Sequence, residues 1–382
     1  MSAHAGHDCP CHDMTQDRGP VAASPSSCLS DREYWGQRNR GATMNDRLQT
    51  VEIDREPDAA LRDGLGRSIT YLRLSVTDRC NLRCQYCMQE DVKFLPKNEI
   101  LSLEEMERLA ATFFRLGVRK LRLTGGEPLV RPGVMQLIER LGARRAAGEF
   151  QELTLTTNGT LLAQHAAGLA AAGVRRVNVS LDTLDAARFR SITRRDGHAD
   201  VLRGIDAARA AGLAVRINAV AMAGVNDDEF DAMIRWCGDQ GCDMALIEVM
   251  PLGGMMAHYV PLELVRTNLA RHWTLLPVAY GTGGPARYWH IGETGRRVAF
   301  ITPMSHGFCG TCNRVRVTCT GRLIPCLGHR GGVDLRDAFR NATSDGRLET
   351  DIVGAIAAKP AGHCFGMPRV KVETRPMHQL GG

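Results

Sequence analysis

"YLRLSVTDRCNLRCQYCMQE", residues 71–90, joins a short strand pattern to a loop with three cysteines in eight positions. The run "YLRLSVT" (71–77) is short and rich in Leu, Val and Tyr, as a β-strand is. Cys80, Cys84 and Cys87 then follow at C-x3-C-x2-C. The same rhythm returns five times, in "KLRLTG" (120–125), "ELTLTT" (152–157), "RVNVSLD" (176–182), "AVRINAV" (214–220) and "MALIEVM" (244–250). Helical patterns lie between them, over 102–116, 134–147, 161–172, 185–211 (broken near Gly197) and 227–240. Ser102 and Glu105 carry a capping-box signature at the start of the first. Six strands, each feeding a helix, predict right-handed βα units around a parallel sheet. The expected class is α/β, an incomplete (β/α)6 version of the TIM-type barrel.

Polar residues gather at the strand C-terminal ends. They are Thr77 and Asp78, "TGGEP" (124–128), "TTNG" (156–159), "SLD" (180–182) and Met250. In βα barrels that rim builds the active site.

The rhythm stops after residue 255. Three regions are expected: an irregular Ser-, Gly-, Asp- and His-rich tail over 1–48, read as disordered; the partial barrel over 49–255; and a C-terminal region over 256–382 packed on it. "HDCPCH" (7–12) reads as part of the tail, and Met44 as a true or alternative start.

Net charge is +6, from 48 Lys+Arg against 42 Asp+Glu, too mild for a general nucleic-acid binder. Aromatic content of 5% gives little for base stacking. No apolar run reaches the roughly 18–20 residues of a membrane span, and the N-terminus lacks the pattern of a secretory signal. A cytoplasmic protein is expected. Thirteen cysteines in a reducing compartment point to metal or redox chemistry. Cys237 and Cys242 read as apolar filler.

The thiolate is the ligating form, and grouped thiolates favour zinc or iron–sulfur. Structural zinc takes four ligands, usually in two pairs. Three cysteines on one loop would instead leave one iron of a four-iron cluster open, and an open position marks chemistry. A second group, "FCGTCNRVRVTCTGRLIPC", places Cys309, Cys312 and Cys326 at C-x2-C-x13-C, with Cys319 between them as a candidate fourth. Arg314 and Arg316 alternate with Val315 and Val317, which puts both guanidiniums on one strand face. Two fixed guanidiniums suit an anion.

C-x3-C-x2-C with Tyr86 before the last cysteine resembles the signature of the radical S-adenosylmethionine superfamily. "TGGEP" is similar to its glycine-rich segment, where missing side chains would expose backbone N–H and C=O groups to the methionine end of the cosubstrate. With "RLTGGEPLVR", "TTNG", "VNVSLD", "C-x2-C-N-R-x-R" and the terminal Gly381-Gly382, residues 65–382 resemble the GTP 3′,8-cyclase family of molybdenum-cofactor biosynthesis. The resemblance implies two [4Fe-4S] clusters, one on Cys80, Cys84 and Cys87 and one in the C-terminal region on Cys309, Cys312 and Cys326, with Cys319 left out. It implies S-adenosylmethionine at Tyr86, Gly126, Ser180 and Met250. It implies GTP at Arg73, Lys120, Arg122, Thr156, Arg216, Arg314 and Arg316. Arg73, Arg314, Arg316, Gly381 and Gly382 would serve catalysis, the glycines on a flexible tail.

The implied reaction is hydrogen abstraction from ribose C3′ by a 5′-deoxyadenosyl radical, then attack on guanine C8. The implied partners are an electron donor such as flavodoxin or ferredoxin and the enzyme that makes cyclic pyranopterin monophosphate. A homodimer is a further expectation; nucleic acid and membrane are not. Arg216 stands where the family commonly has Lys, and Ala245 where relatives often carry Arg, so the triphosphate contacts are expected to differ. A peptide-modifying radical enzyme and a zinc-stabilised binding protein are the other readings.

Overall fold

Six parallel strands form the centre of the molecule: β1 (Tyr71–Ser75), β2 (Lys120–Thr124), β3 (Glu152–Thr157), β4 (Arg176–Ser180), β5 (Ala214–Ala221) and β6 (Asp243–Glu248). The computed structural model describes residues 61–252, 254–329, 331–340, 346–365 and 377–380, all within one compact unit, Pro57–Gly382. The helices between the strands are α1 (Leu103–Arg115), α2 (Val134–Ala146), α3 (Leu162–Ala171), α4 (Ala186–Thr193), α5 (His198–Ala210) and α6 (Phe230–Asp239). The sequence rhythm therefore gives each element its place. The tail over 1–48, "HDCPCH" and Met44 lie outside the described residues.

Local chemistry explains the breaks. The Ser102 hydroxyl accepts from the Glu105 N–H at 3.1 Å, and the Glu105 carboxylate accepts from the Ser102 N–H at 2.7 Å. This closes the expected capping box on α1. Gly197, at φ 147°, separates α4 from α5, a backbone angle that side chains resist.

Strand parity decides what each face does. Leu72, Leu74, Leu121, Leu123, Leu153, Leu155, Val177, Val179 and Ile217 are buried in the core, where Leu109, Phe113, Leu137 and Ile138 from α1 and α2 join the same core cluster. Each such side chain contributes roughly 1.5–3 kcal/mol. The alternate positions hold Arg73, Arg122, Thr154, Asn178 and Arg216. Parallel strands covered on both faces usually read as continuous apolar runs. These alternate because their second face points into the barrel interior, where Arg73, Arg122 and Arg216 line a cavity. A one-residue slip in register would put the arginines into the core.

The C-terminal region does more than pack on the barrel. Its strand β9 (Arg297–Ile301) pairs in parallel with β6, and β10 (Arg314–Val317) pairs in parallel with β1. β7 (Leu275–Val278) and β8 (Arg287–Ile291) continue one edge; β11 (Arg322–Ile324) and β12 (Val333–Asp334) continue the other. The result is one twelve-stranded sheet in the order β12-β11-β10-β1-β2-β3-β4-β5-β6-β9-β8-β7. β1 and β6 do not pair, so the central six remain an incomplete barrel. Four helices complete the described chain: α7 (Leu262–Leu269), α8 (Arg336–Arg340), α9 (Gly346–Ala357) and α10 (Met377–Leu380). None of the described helices is long and apolar enough to cross a membrane.

Candidate active site

The inner faces of the strands and the loops at their C-terminal ends enclose a cavity of about 320 Å³. Both cysteine groups line it: Cys80, Cys84 and Cys87, and Cys309, Cys312 and Cys326.

The first group sits on the loop after β1. That loop is tied to the end of α4, where Arg83 N–H donates to the Thr193 carbonyl at 2.8 Å and Gln85 N–H to that of Ile192 at 3.0 Å. Cys87 N–H donates to the Cys84 carbonyl at 2.9 Å, curling the last two cysteines together. Burial pushes the Cys80 thiol up to about 11. Burial and Cys80 push Cys87 up to about 12. Burial, Cys87 and Asp182 hold Cys84 well above the ordinary range. Three such thiols ionise together only against a cationic centre, which a metal supplies.

The glycines of "TGGEP" have a different local reason from the one expected. The Gly126 N–H is spent on the Thr77 carbonyl at 2.9 Å, and the Glu127 N–H on that of Arg79 at 2.8 Å. A Cβ on Gly126 would lie 2.4 Å from the Arg79 carbonyl oxygen, and one on Gly125 2.6 Å from that of Thr77. The glycines let the second strand's loop press directly on the cysteine loop. Gly126 still lines the cavity. Glu127 is fully buried behind it and accepts from Leu129 N–H (3.0 Å), Asn158 N–H (2.6 Å) and the Thr157 hydroxyl (2.8 Å). Asn158 Nδ2 in turn reaches Cys80 Sγ at 3.7 Å. Burial outweighs those three donors and pushes Glu127 up to about 7.

Tyr86, Ser180 and Met250 also line the cavity. The Tyr86 hydroxyl donates to Asp182 Oδ2 at 2.8 Å, and Val220 N–H holds Oδ1 at 2.8 Å. Asp182 escaped the sequence reading as a site residue, although "SLD" drew attention to its segment.

Between the cysteine groups the cavity wall is arginine. β1 aligns Arg73 with Arg316 on one side and with Arg122 on the other. The alternation read in 314–317 holds: Val315 and Val317 are buried while Arg314 and Arg316 face the cavity. With its amide oxygen turned toward the guanidiniums, Asn178 accepts from Arg122 at 2.9 Å and Arg216 at 2.7 Å. Arg216 also donates to Asn218 Oδ1 at 3.1 Å and to the Tyr288 hydroxyl at 2.6 Å. Burial and Arg316 press Arg73 down to about 9; burial, together with Arg73, presses Arg122 down to about 9. This crowding of like charge is relieved by an anion.

Thr156 lines the same wall, its buried hydroxyl without a hydrogen-bond partner among the described residues. Tyr71, missed in the sequence, has a hydroxyl in the same condition and also lines the cavity. Lys120 does not line it. Its Nζ pairs with Glu152 and donates to the Thr282 carbonyl, each at 2.5 Å. Ala245 packs against Tyr288 and Ala299, beside the Arg216 contact.

Cys319 is buried in the main core away from the cavity, and burial pushes its thiol up to about 12. Cys237 and Cys242 are core filler. In the second group, burial raises Cys312, but Arg314 and Lys359 outweigh it and bring the thiol below the ordinary value. No three His, Cys, Asp or Glu side chains among the described residues are arranged for a single metal ion. The donors in each place are three thiols lining one cavity, a set that fits a four-iron cluster with one iron left open. Gly381 and Gly382 lie outside the described residues. Just before them, Met377 lines the cavity, and His378 and Leu380 are fully buried.

Residues 74–237 match the model of the radical SAM superfamily, and residues 242–365 match that of Molybdenum Cofactor Synthesis C. The chain is 55% identical over 315 residues to the GTP 3′,8-cyclase of Bradyrhizobium diazoefficiens, covering 81% of this chain and 92% of that one. It is 53% identical over 328 residues to the GTP 3′,8-cyclase of Caulobacter vibrioides, covering 85% and 94%. Among solved structures, Streptococcus suis SuiB bound to S-adenosylmethionine is similar over 76% of this chain and 68% of its own, with a TM-score of 0.52 and 16% identity. At that identity the likeness concerns the fold alone.

Proposed function

Because this chain belongs to the GTP 3′,8-cyclase family of radical S-adenosylmethionine enzymes, we propose that the cavity lined by both cysteine groups holds cosubstrate and GTP between two clusters and closes the C3′–C8 bond there. The enzyme converts GTP to (8S)-3′,8-cyclo-7,8-dihydroguanosine 5′-triphosphate, the first step of molybdenum-cofactor biosynthesis. It works with two [4Fe-4S] clusters and S-adenosylmethionine. The observation that carries our reading of the site is one cavity lined by two sets of three cysteines with an arginine wall between them.

Cys80, Cys84 and Cys87 would hold the first cluster; Cys309, Cys312 and Cys326 would hold the second. When bound, the first cluster would supply the electron that cleaves the cosubstrate, and the 5′-deoxyadenosyl radical so released would take the ribose C3′ hydrogen. Bonding of C3′ to guanine C8 would then be completed by one further electron from the reductant and a proton, which makes the product isomeric with GTP. The chain's own residues orient and enclose. Tyr86, braced by Asp182, and Gly126, Ser180 and Met250 would seat the cosubstrate. Arg73, Arg122, Arg216, Arg314, Arg316 and Thr156 would hold GTP, whose triphosphate answers the crowded guanidiniums. Lys120, paired with Glu152, would act from behind Tyr71, whose ring lies 5.1 Å from its Nζ. Gly381 and Gly382 would serve catalysis as side-chain-free residues; of the described residues just before them, His378 and Leu380 are buried. Arg216 keeps the charge that the family's Lys supplies, and its three fixed partners set the phosphate geometry that Ala245 leaves to it.

The partners we propose are a small electron-transfer protein such as flavodoxin or ferredoxin and the cyclic pyranopterin monophosphate synthase that consumes the product. The proposed setting is the cytoplasm, with a homodimer as the proposed assembly. GTP carrying deuterium at C3′ tests the chemistry. Deuterium should appear in the 5′-deoxyadenosine formed; its absence, with product still made, would overturn the hydrogen-abstraction assignment.

A further inference from the structure

Two buried cations outside the cysteine loops converge on those of the second group. Arg67 Nη1 donates to the Cys309 carbonyl at 2.7 Å and to that of Ala361 at 2.8 Å, and its Nη2 to that of Pro360 at 2.7 Å. Its Nε pairs with Asp63 at 2.5 Å, with side-chain exposures of 8% for Arg67 and 0% for Asp63. Asp63 Oδ1 is fixed in turn by the N–H groups of Leu65 (2.9 Å) and Arg67 (3.0 Å). Lys359, also buried, donates to the Arg314 carbonyl at 3.0 Å and the Pro325 carbonyl at 2.5 Å. Arg314 lies two residues after Cys312, and Pro325 immediately precedes Cys326. All three ligand segments are thus tied to one turn, residues 359–361, which follows α9. The next residue, Gly362, lies beside the first ligand: a Cβ there would be in ordinary van der Waals contact, 3.6 Å from Cys309 Sγ. On the other side, Gly64 N–H donates to the Ala357 carbonyl at 3.2 Å, pinning the Asp63–Arg67 turn to the end of α9.

We propose that Arg67, braced by Asp63, and Lys359 are positioning residues that staple the three segments of the second cysteine group to the 359–361 turn and so hold that site in ligating geometry before its cluster arrives. A buried guanidinium with three carbonyl acceptors places Cys309, and a buried ammonium bridging two more places Cys312 against Cys326. Outer hydrogen bonds of this sort orient metal ligands, and their loss costs about 10–100-fold in affinity at comparable sites. The proposal rests on the reading of Cys309, Cys312 and Cys326 as cluster ligands.

The test uses the full chain, reconstituted anaerobically, with Cys80, Cys84 and Cys87 replaced by Ala so that only second-site iron is counted. Iron release to a chelator is followed for this protein and for its Arg67→Ala and Lys359→Ala derivatives. Release should quicken by about 10-fold or more in each. In the chain with Cys309, Cys312 and Cys326 replaced by Ala instead, the same changes should leave iron at the first group, and its release rate, unchanged. Release unchanged from the second site, or equally faster from both sites, would overturn the proposal. Should an alanine variant fail to fold, Arg67→Lys decides, since it keeps the charge but cannot reach all three carbonyls; it should release second-site iron faster than Arg67. A parent protein that takes up no second-site iron would overturn the ligand reading, and the proposal with it.

Discussion

Glu127 shows how one buried side chain ties the cysteine loop to pH. Its folded-state pKa lies near 7, raised by burial above the ordinary 4.5. Between those values the folded chain keeps a proton that the unfolded chain has lost. Stability is therefore full below 4.5 and declines as pH rises toward 7, by roughly 3 kcal/mol at most. Denaturant unfolding of the cluster-free protein should show this decline, and Glu127→Gln should flatten it; an equal slope in the variant would remove Glu127 as its source. In the cavity itself, Arg314→Ala removes one guanidinium. A hydrogen bond to a charged group contributes about 1.5–3 kcal/mol, so GTP binding by calorimetry should weaken roughly 10- to 150-fold with iron content intact. Unchanged binding would take Arg314 out of the GTP site. The sequence announced Arg314, because period-2 alternation is local. It did not announce Asp182 or Tyr71, whose meaning comes from the neighbours that the fold supplies, Tyr86 for one and Arg122 for the other.

At the scale of elements, the contact between the β2 loop and the β1 loop sets the first cysteine group. Gly126→Ala would force a Cβ against the Arg79 carbonyl 2.4 Å away. The backbone at 77–79, one residue before Cys80, would have to shift, at a cost of about 1–3 kcal/mol. We expect lower iron uptake at the first site and normal uptake at the second, read by iron analysis of chains lacking one group or the other. Equal uptake at both would show that the glycines are not needed there. The glycines were legible as a motif, but their local reason was not. Backbone N–H groups that looked exposed in the sequence find carbonyls on the neighbouring loop. Helix α1 was legible to its cap, because Ser102 and Glu105 act within one turn.

At the scale of the whole molecule, the six central strands could be read because each βα unit carries its own local period. The parallel pairing of β10 with β1 could not, since more than two hundred residues separate Arg316 from Arg73. Yet that pairing completes the arginine wall and swings the second cysteine group over the same cavity as the first. In the proposed function, this one cavity couples radical formation to GTP. The direct measurement is anaerobic. The protein carrying both clusters is given S-adenosylmethionine and a strong reductant, and 5′-deoxyadenosine is quantified by mass spectrometry with and without GTP. GTP should raise 5′-deoxyadenosine and yield a new species isomeric with GTP. Formation of 5′-deoxyadenosine at the same rate with and without GTP, and no isomer, would contradict that coupling.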